Sequence, residues 1–178
     1  MLVSPSSAGE RAPPRQCRPL IERGSLIADV PVSSSRHTTL PDEIAARDPA
    51  RAAVTMAASG ETLTYATLCA RANRGARALR ALGLRAGDGI AVLTENRPEY
   101  FEAFWAAMRA GLYFTPISTH LKLAEVAYIL RDSGARALIA SPRQLDALAA
   151  AAPASLGAPE GWAFGPPRRG WRSWSQAL

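Results

Sequence analysis

Ala86-Gly87-Asp88-Gly89-Ile90-Ala91-Val92-Leu93-Thr94-Glu95-Asn96 decides the fold class. The Gly-Asp-Gly turn feeds an apolar run, Ile90–Thr94, that is continuous rather than alternating. A strand of that kind is covered on both faces, as in parallel sheets with helices on either side. Glu95-Asn96 then opens a helix, with Asn96 as the expected cap and Glu99 completing a capping-box-like pair. In that helix Phe101, Phe104, Trp105 and Met108 recur at helical spacing and are expected to form its buried stripe. Glu99 and Glu102 are read as helix-surface residues. Gly111 closes the helix.

Upstream, a short helix around Pro41–Arg47 has proline in its first turn and Asp42 and Glu43 behind it. Ala52–Ala57 is expected as a short strand, turned by Ser59-Gly60. Leu63-Thr64-Tyr65 leads into a helix whose Tyr65, Leu68, Cys69, Ala72, Ala76 and Leu79 recur at steps of three and four, the spacing of one buried face. Arg71, Arg74, Arg77 and Arg80 fall mostly opposite. They could grip phosphates, but a solvated face explains them more simply. Gly83 suits a left-handed helix end. Downstream, Leu112–Thr115 is a strand ended by Pro116, and Ile117–Lys122 a loop. The next helix carries Leu123, Val126, Ala127 and Leu130 on one face, with Gly134 as its stop. Arg136–Ala140 is a strand and Pro142–Ala150 a helix. Strands separated by helices in this way imply right-handed crossovers and a mainly parallel sheet.

The flanks differ. Residues 1–37 are rich in Pro, Ser and Arg and read as a disordered extension. Their arginines faintly suggest a transit peptide, but Glu10, Glu22, Asp29 and five prolines spoil an amphipathic helix. Residues 151–178 return to Pro and Gly, with Trp162, Trp171 and Trp174 among polar residues, and read as an irregular connector. The net charge of +6 does not mark a nucleic-acid surface. Residues 1–37, 38–150 and 151–178 carry 5 basic and 3 acidic groups, 13 and 11, and 3 and 1, so the excess is spread thinly. Cys17 and Cys69 suggest neither a disulfide framework nor a zinc site. No apolar run approaches the ~20 residues of a membrane span. A cytoplasmic setting fits.

In open α/β sheets ligands bind beyond the carboxyl ends of the strands. Here that edge holds Thr94, Glu95 and Asn96, then Ile117, Ser118, Thr119 and His120. His120 follows a strand in a loop, where reactive groups often lie, and is the candidate substrate-binding residue; otherwise it is a loop or packing residue. His37 lies in the tail. There is no Gly-x-x-x-x-Gly-Lys run and no Gly-x-Gly-x-x-Gly after a strand. No catalytic, cofactor-binding or metal-ligating residue is assigned.

Six stretches in order resemble the front of the AMP-forming acyl-adenylate ligase superfamily, which includes acyl-CoA synthetases, luciferases and peptide-synthetase adenylation domains. They are Leu63-Thr64-Tyr65-Ala66-Thr67-Leu68, the helix with Ala72-Asn73 and Ala78-Leu79 running into Leu82-Gly83-Leu84, and Ala86-Gly87-Asp88 before its strand. Asn96-Arg97-Pro98-Glu99-Tyr100, Met108-Arg109-Ala110-Gly111-Leu112-Tyr113-Phe114-Thr115-Pro116-Ile117, and Leu123–Leu130 with Asp132-Ser133-Gly134-Ala135 complete the match. The resemblance covers about residues 38–150. Thr115-Pro116-Ile117 followed by His120-Leu121 leans toward the fatty acyl-CoA synthetase branch, and Gly170-Trp171-Arg172-Ser173-Trp174 looks like the connector toward the family's phosphate loop. Gly89 departs from the pattern, which usually has Arg or a similar residue there.

The resemblance implies an α/β fold, part of the N-terminal domain of an adenylate-forming ligase. It also implies an acid–thiol ligase reaction: a fatty or other carboxylic acid attacks the α-phosphate of ATP, and CoA then displaces AMP to give acyl-CoA. ATP, Mg2+ and CoA are the ligands so implied. The family's phosphate loop, its acidic residues for magnesium and ribose, and its C-terminal domain with the catalytic lysine have no counterpart in these residues. The expectation is therefore a fragment inactive by itself and unable to bind those ligands well. The alternative is a non-enzymatic module or half of a split enzyme, associating through an exposed sheet edge.

Overall fold

The structure is a computed structural model that describes residues 40–148 and 160–178. The expectations for the 1–37 extension, for the helix end at Ala150 and for the start of the connector lie outside the described residues. The chain order is α1 (Leu40–Arg47), β1 (Ala52–Thr55), β2 (Thr62–Thr64), α2 (Tyr65–Ala81), β3 (Gly89–Leu93), α3 (Pro98–Ala110), β4 (Tyr113–Ile117), α4 (Leu123–Asp132), β5 (Ala135–Ala140), α5 (Pro142–Ala147), β6 (Glu160–Ala163), β7 (Arg172–Ser173) and α6 (Trp174–Ala177). Strands β1 and β2 form an antiparallel hairpin. The other five make one parallel sheet in the order β4-β3-β5-β6-β7.

The continuous apolar run of β3 has the meaning expected of it. Ile90 and Val92 point into a core shared with Ala76 and Leu79 of α2 and Ala103, Ala106, Ala107 and Ala110 of α3. Ala91 and Leu93 point the other way, into a core with Val126 and Leu130 of α4 and Leu145 of α5. Helix α2 follows its sequence pattern, burying Leu68, Cys69, Ala72, Ala76 and Leu79. The Thr64 hydroxyl accepts from the Thr67 N–H at its start. At its end Gly83 sits at φ +83°. The Leu84 N–H then donates to Leu79 and the Gly83 N–H to Arg80, which satisfies two otherwise orphaned carbonyls.

Helix α3 departs from expectation. Its buried residues are Pro98, Glu102, Ala103, Ala106, Ala107 and Ala110. The expected stripe is displaced, with Phe101 37% and Met108 39% exposed and Phe104 and Trp105 half-buried. The cause is the closeness of α2. A Cβ on Gly75 would stand 2.9 Å from Ala106 Cβ and 2.8 Å from Trp174 Cζ2. Only small side chains fit that crossing, so the alanines take it and the aromatics move to the flank. There Tyr100 and Phe104 pack edge-on against Phe114 at 5.5 and 5.3 Å. Glu102 turns inward with the alanines and is fully buried, not a surface residue.

Four further differences are local. Helix α3 begins one residue later than expected, with Arg97 at the N-cap and no side-chain cap, because Pro98 has the preset φ of a first helical residue. Glu99 is held by Arg97 in a two-point contact of 2.9 and 2.6 Å rather than capping the helix. Strand β4 runs through Pro116; among the described residues it is an edge strand, where one side has no ladder for proline to break. Leu123, expected on the buried face of α4, is exposed.

Residues 160–178, expected to be irregular, extend the sheet and lie in the same compact unit as residues 40–148. Three tryptophans replace a periodic apolar pattern. Trp162 and Trp174 are buried on the α2/α3 side and Trp171 on the other. Trp174 packs edge-on against Trp162 at 5.8 Å and Phe164 at 6.2 Å.

The Gly75 notch predicts an inversion of helix propensity. Alanine in a helix is up to about 1 kcal/mol better than glycine, but overpacking at this crossing costs about 1–3 kcal/mol. Thermal unfolding of Gly75→Ala is expected to show a lower midpoint than the parent chain. A higher midpoint would contradict the packing described.

Candidate functional site

The loop after β3 leads to α3 on one face of the sheet. The loops after β4 and β5, its two neighbours, lead to α4 and α5 on the other. Loops that diverge to opposite faces leave a crevice at the carboxyl end of the strands. A cleft of about 630 Å³ lies there. Thr94, Glu95, Asn96 and Arg97 line it from the end of β3, and Pro116, Ile117 and Ser118 from β4. Tyr100 and Phe101, aromatics displaced from the α2 crossing, form part of its apolar wall. Val54, Thr55, Met56 and Ala57 of the β1–β2 hairpin close another side.

Polar groups at the cleft are fixed to different degrees. The Thr94 hydroxyl is buried and makes no hydrogen bond. Glu95 accepts from Gln144 Nε2 at 2.8 Å. Burial by itself raises the Glu95 carboxyl, but hydrogen bonds from Ser141 and Gln144 outweigh it and hold the group below the ordinary carboxylate value. Ser141 is in turn tied to the strand end, since its N–H donates to the Leu93 carbonyl at 3.1 Å. Arg97 is engaged twice, by Glu99 and by the face of Phe164 at 5.5 Å from the ring centroid.

Thus Thr94, Glu95, Asn96, Ile117 and Ser118, picked from the sequence as the ligand-facing edge, come together. His120 is exposed and is not among the lining residues. Its backbone N–H donates to the Ser118 hydroxyl at 3.4 Å, a contact that does not involve the imidazole. The hairpin wall escapes sequence inspection because some forty residues separate Val54 from Thr94. Gln144 escapes it too, lying in the first turn of a helix expected only to pack. Among the described residues no group of three or more His, Cys, Asp or Glu comes together. Nor is any described helix long and apolar enough to cross a membrane.

A carboxyl with a depressed folded value adds stability above its unfolded value, and that stability is lost as pH falls through the folded value. NMR titration of Glu95 is expected to give a midpoint below 4.5. In Gln144→Leu the midpoint moves upward, and the chain's stability falls less steeply in acid. An unchanged Glu95 midpoint in the variant would contradict the Gln144 bond.

Comparison with protein families matches residues 41–162 to the AMP-binding enzyme family. A feruloyl-CoA synthase of Amycolatopsis is 42% identical over 97 residues, which cover 54% of this chain and 20% of that protein. Among solved structures, a Mycobacterium tuberculosis fatty acyl CoA synthetase is 34% identical with a TM-score of 0.57, over 62% of this chain and 22% of its own. The anthranilate CoA ligase AuaEII, in complex with anthranoyl-AMP, is 27% identical with a TM-score of 0.64, over 77% of this chain and 27% of its own. The chain spans about a fifth of the length of that curated relative. With the match running through the whole parallel sheet as far as β6, the chain belongs to the AMP-binding enzyme family and has part of the adenylate-forming ligase fold.

Proposed function

We propose that this chain supplies the front of an acid–thiol ligase of the fatty acyl-CoA synthetase type, which joins a carboxylic acid to CoA at the expense of ATP. The family match over residues 41–162 carries the proposal. The cleft at the carboxyl ends of β3 and β4 supports it by position and by lining, an apolar wall with a polar rim. Its role is to shape and orient. Glu95 and Arg97 are both engaged by neighbours, so neither is spare to stabilise charge developing on a phosphate. His120, two residues beyond Ser118, is proposed to contact the acid at the rim. The 178 residues alone do not perform the reaction.

A chimera tests this. Residues 40–178 replace the matching front of the Amycolatopsis feruloyl-CoA synthase, and AMP formation dependent on a carboxylic acid and CoA is followed. The chimera is expected to turn over, and the 178-residue chain by itself is not. His120→Ala in the chimera raises KM for the acid several-fold with kcat nearly unchanged, the signature of a lost binding contact. A folded but inactive chimera would contradict the ligase assignment. Turnover by the chain alone would contradict its inactivity.

A second reading, a module pairing with a separate chain that carries the rest of the ligase, is favoured by the outer edge of β4, which pairs with no strand among the described residues, and by Tyr113, 72% exposed on it. Light scattering is expected to show concentration-dependent association. A monodisperse monomer at all concentrations would remove this reading.

A further inference from the structure

The cleft at the ends of β3 and β4 carries a charge that its lining does not balance. Among its lining residues only Glu95 and Arg97 are charged. The Nε and Nη2 of Arg97 donate to the two oxygens of Glu99 at 2.9 and 2.6 Å, and the guanidinium lies over Phe164. That cation is therefore matched by a carboxylate that is not in the cleft lining. Glu95 and Glu61 act on it too, so three carboxylates share one guanidinium. Arg143, which also acts on Glu95, is exposed on α5 and does not line the cleft. Glu95 is fixed as well as charged. Its Oε1 accepts from Nε2 of buried Gln144 at 2.8 Å. The Gln144 N–H donates to the Ser141 hydroxyl at 3.3 Å, and the Ser141 N–H to the Leu93 carbonyl at 3.1 Å. A carboxylate anchored to the strand end in this way does not swing clear of an incoming anion.

We infer that Glu95 is a specificity-determining residue: it admits acids whose far end is uncharged and rejects acids that carry a second anionic group. The inference rests on the reading of the cleft as the seat of a carboxylic acid. In that reading the acid's own carboxylate lies near Ser118 and His120, which follow β4. Glu95 is tied to α5, which follows β5, and β3 lies between β4 and β5. An acid lying across the end of β3 thus has its carboxylate on one side and its far end toward Glu95. Met56, Tyr100 and Phe101 line the space for an aryl or alkyl body. A second carboxylate at the far end meets a fixed like charge in a half-enclosed site, where salt screens it less than on the open surface. A carboxamide of the same shape instead brings N–H donors to that acceptor.

The test is binding of three para-substituted benzoates to the full 178-residue chain, followed by the amide resonances of Asn96 and Ser118 in NMR titrations. The probes are para-toluate, terephthalamate and terephthalate, whose far ends are a methyl, a carboxamide and a carboxylate. Para-toluate and terephthalamate are expected to bind with similar Kd, and terephthalate at least about tenfold more weakly. In Glu95→Gln, whose amide oxygen still accepts from Gln144, the terephthalate deficit is expected to shrink to about twofold, with para-toluate unchanged. Terephthalate binding the parent chain as tightly as terephthalamate would overturn the inference whether or not the variant folds. So would a para-toluate that leaves both resonances unmoved, or a tenfold deficit persisting in folded Glu95→Gln. Binding is read on the chain itself, so failure here leaves turnover by the chimera standing. An inactive chimera in turn leaves this order of affinities standing.

Discussion

The contact on which the rest depends is the near-touching of α2, α3 and α6 at Gly75, Ala106 and Trp174. Where two helices and a buried indole come this close, volume rather than hydrophobicity decides which side chains are inside. Alanines therefore occupy the face of α3 that meets α2. The larger residues of the same helix are turned to its flank, and this has consequences at two distant places. Tyr100 and Phe101 become the wall of the cleft. Glu102, in register with the alanines, is carried into the core, where its charge needs Arg71.

The second constraint is the two-sided cover of β3. Its side chains alternate between two cores, so the strand is held in position and direction. Its end is pinned by the bond from the Ser141 N–H to Leu93, and the neighbouring end of β5 by the bond from Phe164 to Ala140. Loops leaving such fixed ends in opposite directions form a crevice whose walls are rigid on the sheet side. The hairpin side rests on two short strands, which among the described residues pair only with each other.

What was legible in the sequence follows from these constraints. Helix α2 was legible because its burial depends on spacing alone. Strand β3 was legible because an uninterrupted apolar run admits few other readings. The parallel order followed, and with it the edge at Thr94–Asn96 and Ile117–Ser118. The buried face of α3 was not legible, since hydrophobicity favours its aromatics and only the distance to α2 favours its alanines. The register Ala103, Ala106, Ala107 and Ala110 was the available signal, and it places Glu102 on the same face. Strands β6 and β7 were missed because single tryptophans do the filling there that a periodic run does elsewhere. The Asn96 cap was displaced by the stronger preference of Pro98 for the first helical position.

The packing that shapes the cleft rests on one physical claim, that residues 40–148 and 160–178 fold together around the α2–α3–α6 crossing. Native-state hydrogen exchange tests it most directly. The account predicts that amides of β3, of the alanine face of α3 and of Trp162–Phe164 exchange slowly and with one common opening free energy, that of global unfolding. Fast exchange over Trp162–Phe164 with β3 still protected would contradict it, because the C-terminal strands would then not belong to the same cooperative unit.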